Sequence, residues 1–402
     1  MRILLLHDEL YPNTSANARI VYRLVDELIQ YDDIHITILG CARTQEQNQS
    51  TYKTCPIIHT PWNNTCRYFK LVSSLRKFKF LRYLLWPKSI LYRIWHKRFS
   101  EPRDTEIYLW LNRHKSEFDV ILCCALPEYM VAIASRFSRY LPIVNYYMEP
   151  LLSMTEQRKE WDTKASKIIL PSIYASTTLG KNNRKNVLAE FCNIVERPMV
   201  ATAQLAESHD VNLAFVGKFY PDVRHPQYVF DIIEQLQSRG KYGLHVAGGF
   251  NGPFPKPFIN KYFTNALPWL HYYGFVQPDV ADSYLQQADV LVHIANKTNT
   301  QMPSKILDYI AMGKPILNFY YIDDCPTLDV LAKYPMVLNI KMDLPITEAL
   351  LGAIVDFCKQ YKGKQILFSE IEPLYKEYTP KYVGKIFYNT LHSAIDEFKN
   401  KK

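Results

Sequence analysis

Two successive series of short apolar runs, each alternating with helical patterns, constrain the fold of this chain more than any other feature. The strand candidates of the first series are residues 2–7, 34–39, 119–124, 142–147 and 167–171. Those of the second series are residues 213–217, 243–247, 270–273, 289–294 and 315–319. Strands that alternate with helices form parallel sheets with helical crossovers. The pattern predicts an α/β protein with two doubly wound Rossmann-type domains facing a central cleft, where ligands bind at the carboxyl ends of the strands.

The region between the two series has no sustained amphipathic period and contains Pro198, which predicts a linker at residues 196–210. An N-terminal domain then covers residues 1–195 and a C-terminal domain residues 211–375. Residues 376–402 are expected to form a helix that packs back on the N-terminal domain. A length of 402 residues with 48% hydrophobic residues excludes general disorder.

The eight cysteines form no CxxC pair and no closely spaced Cys/His quartet, so neither a disulfide framework nor a structural zinc site is predicted. The N-terminus has only four consecutive apolar residues before His7, too few for a signal peptide. No apolar run approaches the roughly 18 residues of a spanning helix. We therefore expect a cytoplasmic protein without a transmembrane anchor.

The net charge of +9 comes from one segment. Residues 47–100 contain eleven Lys or Arg and no Asp or Glu, which leaves 37 basic and 39 acidic residues elsewhere. Within it, residues 67–99 form two amphipathic, cationic patterns rich in Trp, Tyr and Phe, which suit the surface of an anionic membrane. Two alternatives are a helix pair packed on the first sheet with a solvated basic face, and a nucleic-acid surface. No motif of nucleic-acid recognition accompanies the charge, so we expect no nucleic-acid partner.

The stretch 288–317 combines a strand, a polar loop, Pro303 at a helix start and Gly313 at its end. The amides of Ser304, Lys305 and Ile306 would then be available to an anion, and a phosphate is the natural ligand. The alternative is an ordinary crossover with a well-capped helix.

Three runs of the second half, PSKILDYIAMGKPIL (303–317), HYYGFVQPDVADSYLQQADVLVHI (271–294) and LAFVGKFYPDVRHP (213–226), resemble the donor-binding half of retaining glycosyltransferases of family 4, which have the GT-B fold. The resemblance extends to the first half through MRILLLHDELYP, FDVILCCALPE (118–128), PIVNYYMEP (142–150) and KASKIILPS (164–172). It implies transfer of a sugar from a nucleotide-diphosphate donor with retention of configuration.

The resemblance also implies roles for individual residues. Lys218 and Arg224 match a basic pair that holds the donor diphosphate, and Asp308 matches a carboxylate that binds the ribose. The full set of implied donor contacts is Gly217, Lys218, Arg224, Val276, Pro303, Ser304, Lys305 and Asp308. Without the resemblance, Lys218 and Arg224 would be solvated surface cations and Asp308 a helix-surface carboxylate. The chain departs from the family at Thr300, where a glutamate is usual.

The first domain is expected to bind the acceptor. Ser15, Ala16 and Asn17 stand where the family often has a glycine pair, and Met148 stands where many relatives have a histidine. Glu149 could contact a sugar hydroxyl or orient the acceptor; the alternative is a structural carboxylate at a strand or helix end. Lys218, Arg224 and Glu149 are thus the predicted catalytic residues.

No D-x-D sequence occurs in the chain, and Asp323-Asp324 has the wrong spacing for a metal-bridging pair. Fixed cations would offset the charge that a divalent ion otherwise neutralises, so no metal and no cofactor are expected besides the donor substrate.

These features favour a glycosyltransferase that acts on a glycan or lipid-linked acceptor in cell-surface polysaccharide or glycolipid synthesis, peripheral at the inner face of the plasma membrane. A non-catalytic GT-B scaffold or partner subunit and a nucleotide-sugar epimerase are the alternatives.

Overall fold

The structure of the protein is a computed structural model, and it describes ten stretches of the chain: residues 1–12, 15–40, 49–60, 102–124, 128–148, 156–174, 185–197, 202–206, 209–264 and 266–401. The segment 67–99 and Glu149 lie outside these residues. The chain forms two compact units, one of residues 1–192 with 380–402 and the other of residues 193–379.

The first unit is built on a sheet of eight strands. They are β1 (Arg2–Leu6), β2 (His35–Gly40), β3 (Thr51–Tyr52), β4 (Cys55–His59), β5 (Val120–Cys124), β6 (Ile143–Tyr146), β7 (Lys167–Leu170) and β8 (Asn186–Leu188), in the spatial order β3-β4-β2-β1-β5-β6-β7-β8. All neighbours are parallel except β3 and β4. All residues of β5 and β6 are buried, because a parallel sheet is covered on both faces.

The described residues of the first unit form five α-helices: α1 (Ala16–Leu28), α2 (Pro102–His114), α3 (Glu128–Ser135), α4 (Glu156–Lys164) and α12 (Pro380–Lys399). The hydroxyl of Ser15 accepts a hydrogen bond from the amide of Ala18 at 3.0 Å and caps α1. Helix α12 returns to this unit from the end of the chain, where the buried ring of Phe387 packs edge-on against Tyr146 at 4.8 Å between centroids.

The second unit contains a sheet of six parallel strands. They are β9 (Val211–Phe219), β10 (Tyr242–Phe250), β11 (Leu270–Gly274), β12 (Val290–Ile294), β13 (Ile316–Tyr320) and β14 (Val337–Lys341), in the spatial order β11-β10-β9-β12-β13-β14. Strands β9 and β10 pair over nine residues, from Val211 and Tyr242 to Phe219 and Phe250.

In the part of this unit that the structure describes, seven α-helices accompany the sheet: α5 (Gln227–Leu236), α6 (Lys256–Ile259), α7 (Pro278–Gln287), α8 (Lys305–Ala311), α9 (Pro326–Leu331), α10 (Glu348–Tyr361) and α11 (Phe368–Leu374). The apolar faces of α5, α6 and α10 pack with the strands in one core that includes Phe230, Ile233, Val292 and Ile354. The predicted end of α8 at Gly313 is confirmed. This glycine has φ +69°, and a Cβ there would lie 2.0 Å from the carbonyl oxygen of Ile366.

The prediction of two parallel-sheet, Rossmann-like units is confirmed, but the sequence patterns omitted β3, β4, β8 and β14. The two units divide between Cys192 and Asn193, so residues 196 and 197, expected in the linker, belong to the second unit. None of the helices in the described stretches is both long and apolar enough to cross a membrane.

Candidate functional site

The carboxyl end of β9 carries the two predicted diphosphate ligands. Lys218 lies inside β9, one residue before its end, whereas the sequence pattern ended this strand at residue 217. Arg224 closes the following turn, in which Tyr220 and Arg224 exchange two backbone hydrogen bonds of 3.1 and 3.0 Å. Both residues therefore lie at the edge of the sheet where ligands bind in this class of fold.

A hydrogen-bonded partner holds the Arg224 guanidinium. Nε and Nη2 donate to Oδ1 of Asn296 at 3.2 and 2.7 Å, and Asn296 is buried two residues beyond the end of β12. Burial lowers the pKa of Arg224 from its ordinary value, but an arginine remains protonated at neutral pH. The alternative of a freely solvated surface cation is thus wrong for Arg224.

Lys218 has different surroundings. Its side chain is exposed, and Nζ lies 5.3 Å from the ring centroid of Phe275, whose exposed fraction is 75%. This distance allows a cation–π contact. Phe275 directly precedes the predicted donor contact Val276, which is half-buried. An exposed cation and an exposed ring therefore meet beside the ends of β9 and β11.

The predicted donor contact Gly217 takes part in a close approach of two strands. Gly248 in β10 has φ +144°, and a Cβ added there would lie 1.7 Å from the carbonyl oxygen of Gly217. Only glycine tolerates this backbone conformation and contact. Sequence analysis missed Gly248, although a glycine pair inside a strand is a known signal of close backbone approach.

The start of α8 differs from the predicted anion site. Pro303 is buried, Ser304 and Lys305 are half-buried, and the Ser304 hydroxyl makes no capping hydrogen bond. The amide of Ile306, expected to be available, donates to the carbonyl of Pro303 at 3.2 Å because the first turn is tight. The prediction of an available amide at Ile306 is wrong.

Asp308 is enclosed in a buried ion pair. Its exposed fraction is 1%, and Oδ1 accepts from Nη2 of Arg197 at 2.5 Å. Nζ of Lys305 lies 3.4 Å from Oδ2, and Nη1 of Arg197 pairs with Asp282. Burial alone would lower the pKa of Arg197, but the two carboxylates outweigh it and raise that pKa above its ordinary value. The alternative of a helix-surface carboxylate at Asp308 is wrong.

Sequence analysis missed Arg197 and Asp282. They lie 111 and 26 positions from Asp308 in the chain, so no local motif connects the three residues. Two carboxylate–guanidinium contacts of Arg197 nevertheless attach the segment before β9 to α7 and α8.

The remaining predicted positions have local structural roles. The hydroxyl of Thr300 lies 2.8 Å from that of Thr298, and no carboxylate occupies this position. Ser15 caps α1 and also pairs with Glu9, while Ala16 and Asn17 begin that helix. Met148 is buried, and Glu149 lies outside the described residues.

A family model matches part of this chain. Residues 210–324 match the family described as Glycosyl transferases group 1. This stretch begins just before β9 and includes Lys218, Arg224, Ser304 and Asp308. No protein with a curated description matches the sequence significantly.

Solved GT-B structures resemble the whole chain. The lipopolysaccharide outer core galactosyltransferase WaaB, in its apo form, has 13% identity and a TM-score of 0.59, covering 98% of this chain and 99% of its own. The catalytic domain of starch synthase IV from Arabidopsis thaliana, bound to ADP and acarbose, has 9% identity and a TM-score of 0.63, covering 98% of this chain and 99% of its own. UDP-GlcNAc 2-epimerase from Neisseria meningitidis, bound to UDP-GlcNAc, has 10% identity and a TM-score of 0.55 over 98% and 100%.

At these identities the structural likeness establishes only the fold, which is the GT-B fold. The group 1 domain match supports a glycosyltransferase within that fold.

The ion pair of Arg197 generates a stability prediction. Arg197→Met removes the guanidinium that Asp308 and Asp282 share, and breaking a buried pair in this way costs about 3–5 kcal/mol. We expect a correspondingly lower free energy of unfolding in urea denaturation. Arg239→Met is the matched control, because its partner Glu348 has a side chain exposed to 87% and such pairs contribute about 0–1 kcal/mol. Equal losses in the two variants would contradict a structural role of the buried pair.

Proposed function

We propose that this protein is a retaining glycosyltransferase that moves a hexosyl group from a nucleotide-diphosphate sugar to a glycan or lipid-linked acceptor. Its pathway would be cell-surface polysaccharide or glycolipid synthesis. The observation that carries the proposal is the pair of cations at the carboxyl edge of the group 1 domain: the Arg224 guanidinium held by Asn296, and the exposed Lys218 ammonium at the end of β9.

These two cations suit the leaving group of glycosyl transfer. When the bond between the anomeric carbon and the donor phosphate breaks, the diphosphate gains negative charge that preorganised cations stabilise. Two donors of Arg224 are committed to Asn296, so the guanidinium is oriented before a ligand arrives. The proposed retaining step is same-face attack: the acceptor oxygen bonds to the anomeric carbon on the face that the diphosphate leaves, and the leaving phosphate takes the acceptor proton.

The rest of the donor is assigned to neighbouring residues. Gly217 lets the backbone approach the phosphates, and the start of α8 at Pro303, Ser304 and Lys305 adds a partial positive charge. Val276 is the proposed contact of the nucleoside. Asp308 is the proposed ribose ligand. The ribose hydroxyls would hydrogen-bond to a carboxylate that is already paired with Arg197.

The acceptor side rests on the sequence alone. Glu149 is the proposed acceptor contact in the first unit. The proposed location is cytoplasmic, at the inner membrane surface, because the basic segment 67–99 suits an anionic membrane.

Product analysis separates this proposal from its alternatives. A glycosyltransferase releases nucleoside diphosphate and, with a suitable acceptor, a new glycoside whose anomeric configuration NMR can assign. An epimerase converts one nucleotide sugar to another without an acceptor, and a scaffold binds a nucleotide sugar or a partner without turnover.

The first functional prediction concerns the cation pair. Lys218→Ala and Arg224→Ala should each lose about 2–4 kcal/mol of transition-state stabilisation, roughly 30- to 1,000-fold in kcat/KM. Lys256→Ala is the control, because it removes an exposed lysine of the same unit and should leave kcat/KM unchanged. Thermal unfolding of each variant separates lost chemistry from lost structure. Near-normal transfer by both folded alanine variants would refute the diphosphate assignment.

The second functional prediction is that sugar transfer requires no metal ion. Because Lys218 and Arg224 supply the positive charge at the diphosphate, transfer should continue undiminished in EDTA. The measurement is the initial rate of nucleoside diphosphate release with and without the chelator. A complete loss that only Mg²⁺ or Mn²⁺ restores would count against the two cations as sufficient.

The third functional prediction is that the protein binds anionic membranes. The protein should sediment with anionic vesicles more than with neutral ones, and the preference should weaken with salt because exposed charges are screened over about 8–10 Å. Replacing Arg76, Lys77, Lys79 and Arg82 together by Gln should reduce it while donor binding persists. Equal sedimentation of both proteins would leave the packed helix pair as the better interpretation.

A further inference from the structure

Three histidines converge in the second unit, away from the proposed donor site. His245 in β10 and His271 in β11 are direct partners across neighbouring parallel strands. His209 precedes β9, and its ring lies on Gly243, where an added Cβ would be 2.1 Å from the ring atom Cδ2. His245 pairs with Ala214 of β9, four residues before Lys218, or about 13 Å along the strand.

The ring nitrogens are close enough to share one ion. Nε2 of His209 and Nε2 of His271 are 2.8 Å apart, and one ring nitrogen from each of the three residues lies within 4.8 Å of the others. Among the described parts of the chain, this is the single group of three or more His, Cys, Asp or Glu side chains with such spacing. His209 and His271 are half-buried, which leaves a route from solvent, and His245 is buried.

The distances between the histidine ring nitrogens lie on both sides of the ligand–ligand distance in a zinc site. With Zn–N bonds of about 2.0–2.1 Å, two ligands of a tetrahedral zinc ion are about 3.3 Å apart. The His209–His271 pair must open slightly, and His245 must approach. Because the rings of His245 and His271 now stack at 4.7 Å and 17°, small rotations about χ2 are needed for their lone pairs to converge.

Supporting hydrogen bonds surround His245. Its Nε2 lies 3.1 Å from Oδ1 of Asn212, and its Nδ1 lies 2.8 Å from the hydroxyl of Tyr273. The Tyr273 hydroxyl in turn accepts from the amide of Ala206 at 2.9 Å. Whichever ring nitrogen turns to an ion, the other keeps a partner that fixes the ring, as outer-shell partners of metal-binding histidines do.

We propose that His209, His245 and His271 bind one Zn²⁺ ion, with water in the fourth position. Three imidazoles and no carboxylate favour zinc over Mg²⁺ or Ca²⁺, which prefer oxygen ligands. The ion joins the segment before β9 to β10 and β11 and so stabilises the folded unit by mass action. It is remote from the cations at the carboxyl edge and independent of the proposed sugar transfer. It departs from the prediction of no structural zinc site, which rested on local Cys and His spacing.

The test uses the full-length protein after dialysis against EDTA. Zn²⁺ is titrated in competition with a chromophoric chelator, and Co²⁺ is added separately to detect the visible absorption of a tetrahedral site. We expect one ion per chain and a higher Tm with Zn²⁺. His209→Ala and His271→Ala should each weaken Zn²⁺ binding. The loss of affinity should exceed the about 10–100-fold that removal of an outer-shell partner causes, and neither variant should show the increase in Tm with Zn²⁺. These two residues are half-buried, so their replacement spares the core.

His392→Ala is the control. This histidine is in the first unit and pairs with Asp33 at 3.1 Å, so zinc binding should be unchanged. Three outcomes would overturn the proposal: no stoichiometric Zn²⁺ in the wild type, binding that survives the double variant of His209 and His271, or equal loss in the control. The first outcome would leave a hydrogen-bonded histidine pair that shares a proton. None of the readouts depends on transferase activity, so failure here would leave the proposed function intact.

Discussion

The parallel pairing of β9 with β10 is the constraint on which the second unit depends. Nine consecutive partners set the register, and a slip of one residue would move every side chain to the opposite face. At the carboxyl end this register places Gly248 against the carbonyl of Gly217 and leaves Lys218 at the sheet edge. Near the amino end it places His245 beside Asn212. One strand pair therefore positions both groups of residues for which we propose a function.

The buried ion pair of Arg197 changes the interpretation of Asp308. A carboxylate with 1% exposure is costly unless a cation and hydrogen bonds compensate for its lost hydration. Arg197 supplies that compensation to Asp308 and Asp282 together, from a segment that precedes β9. If Asp308 binds the ribose, as proposed, its pairing with Arg197 determines the position of the carboxylate.

Much of the fold was predictable because the strong strands are apolar runs bounded by turns. The omitted strands lack that signal: β3 has two residues, β4 contains Pro56, and β14 includes Asn339 and ends at Lys341. Of the candidate site, the sequence indicated the residues close to a motif, such as Lys218 and Ser304. It indicated neither the Arg197 ion pair nor the histidine cluster, because each joins residues far apart in the chain. It also placed an available amide at Ile306, which the tight first turn of α8 uses internally.

The proposed diphosphate site and the proposed zinc site use different side chains, because one binds an anion and the other a cation. Arg224 is protonated at any physiological pH. Its charge is therefore present before a ligand binds, and Asn296 fixes the orientation of the guanidinium. The proposed diphosphate can bind and dissociate without any change in this charge. Neutral imidazoles carry no charge and instead offer lone pairs, which attract a cation that remains bound. A fixed guanidinium suits a site that must release its anionic product, whereas a coordinated ion suits a site whose task is to hold three segments together. The separation of the two along β9 is therefore consistent with transfer at one end of the sheet and stabilisation at the other.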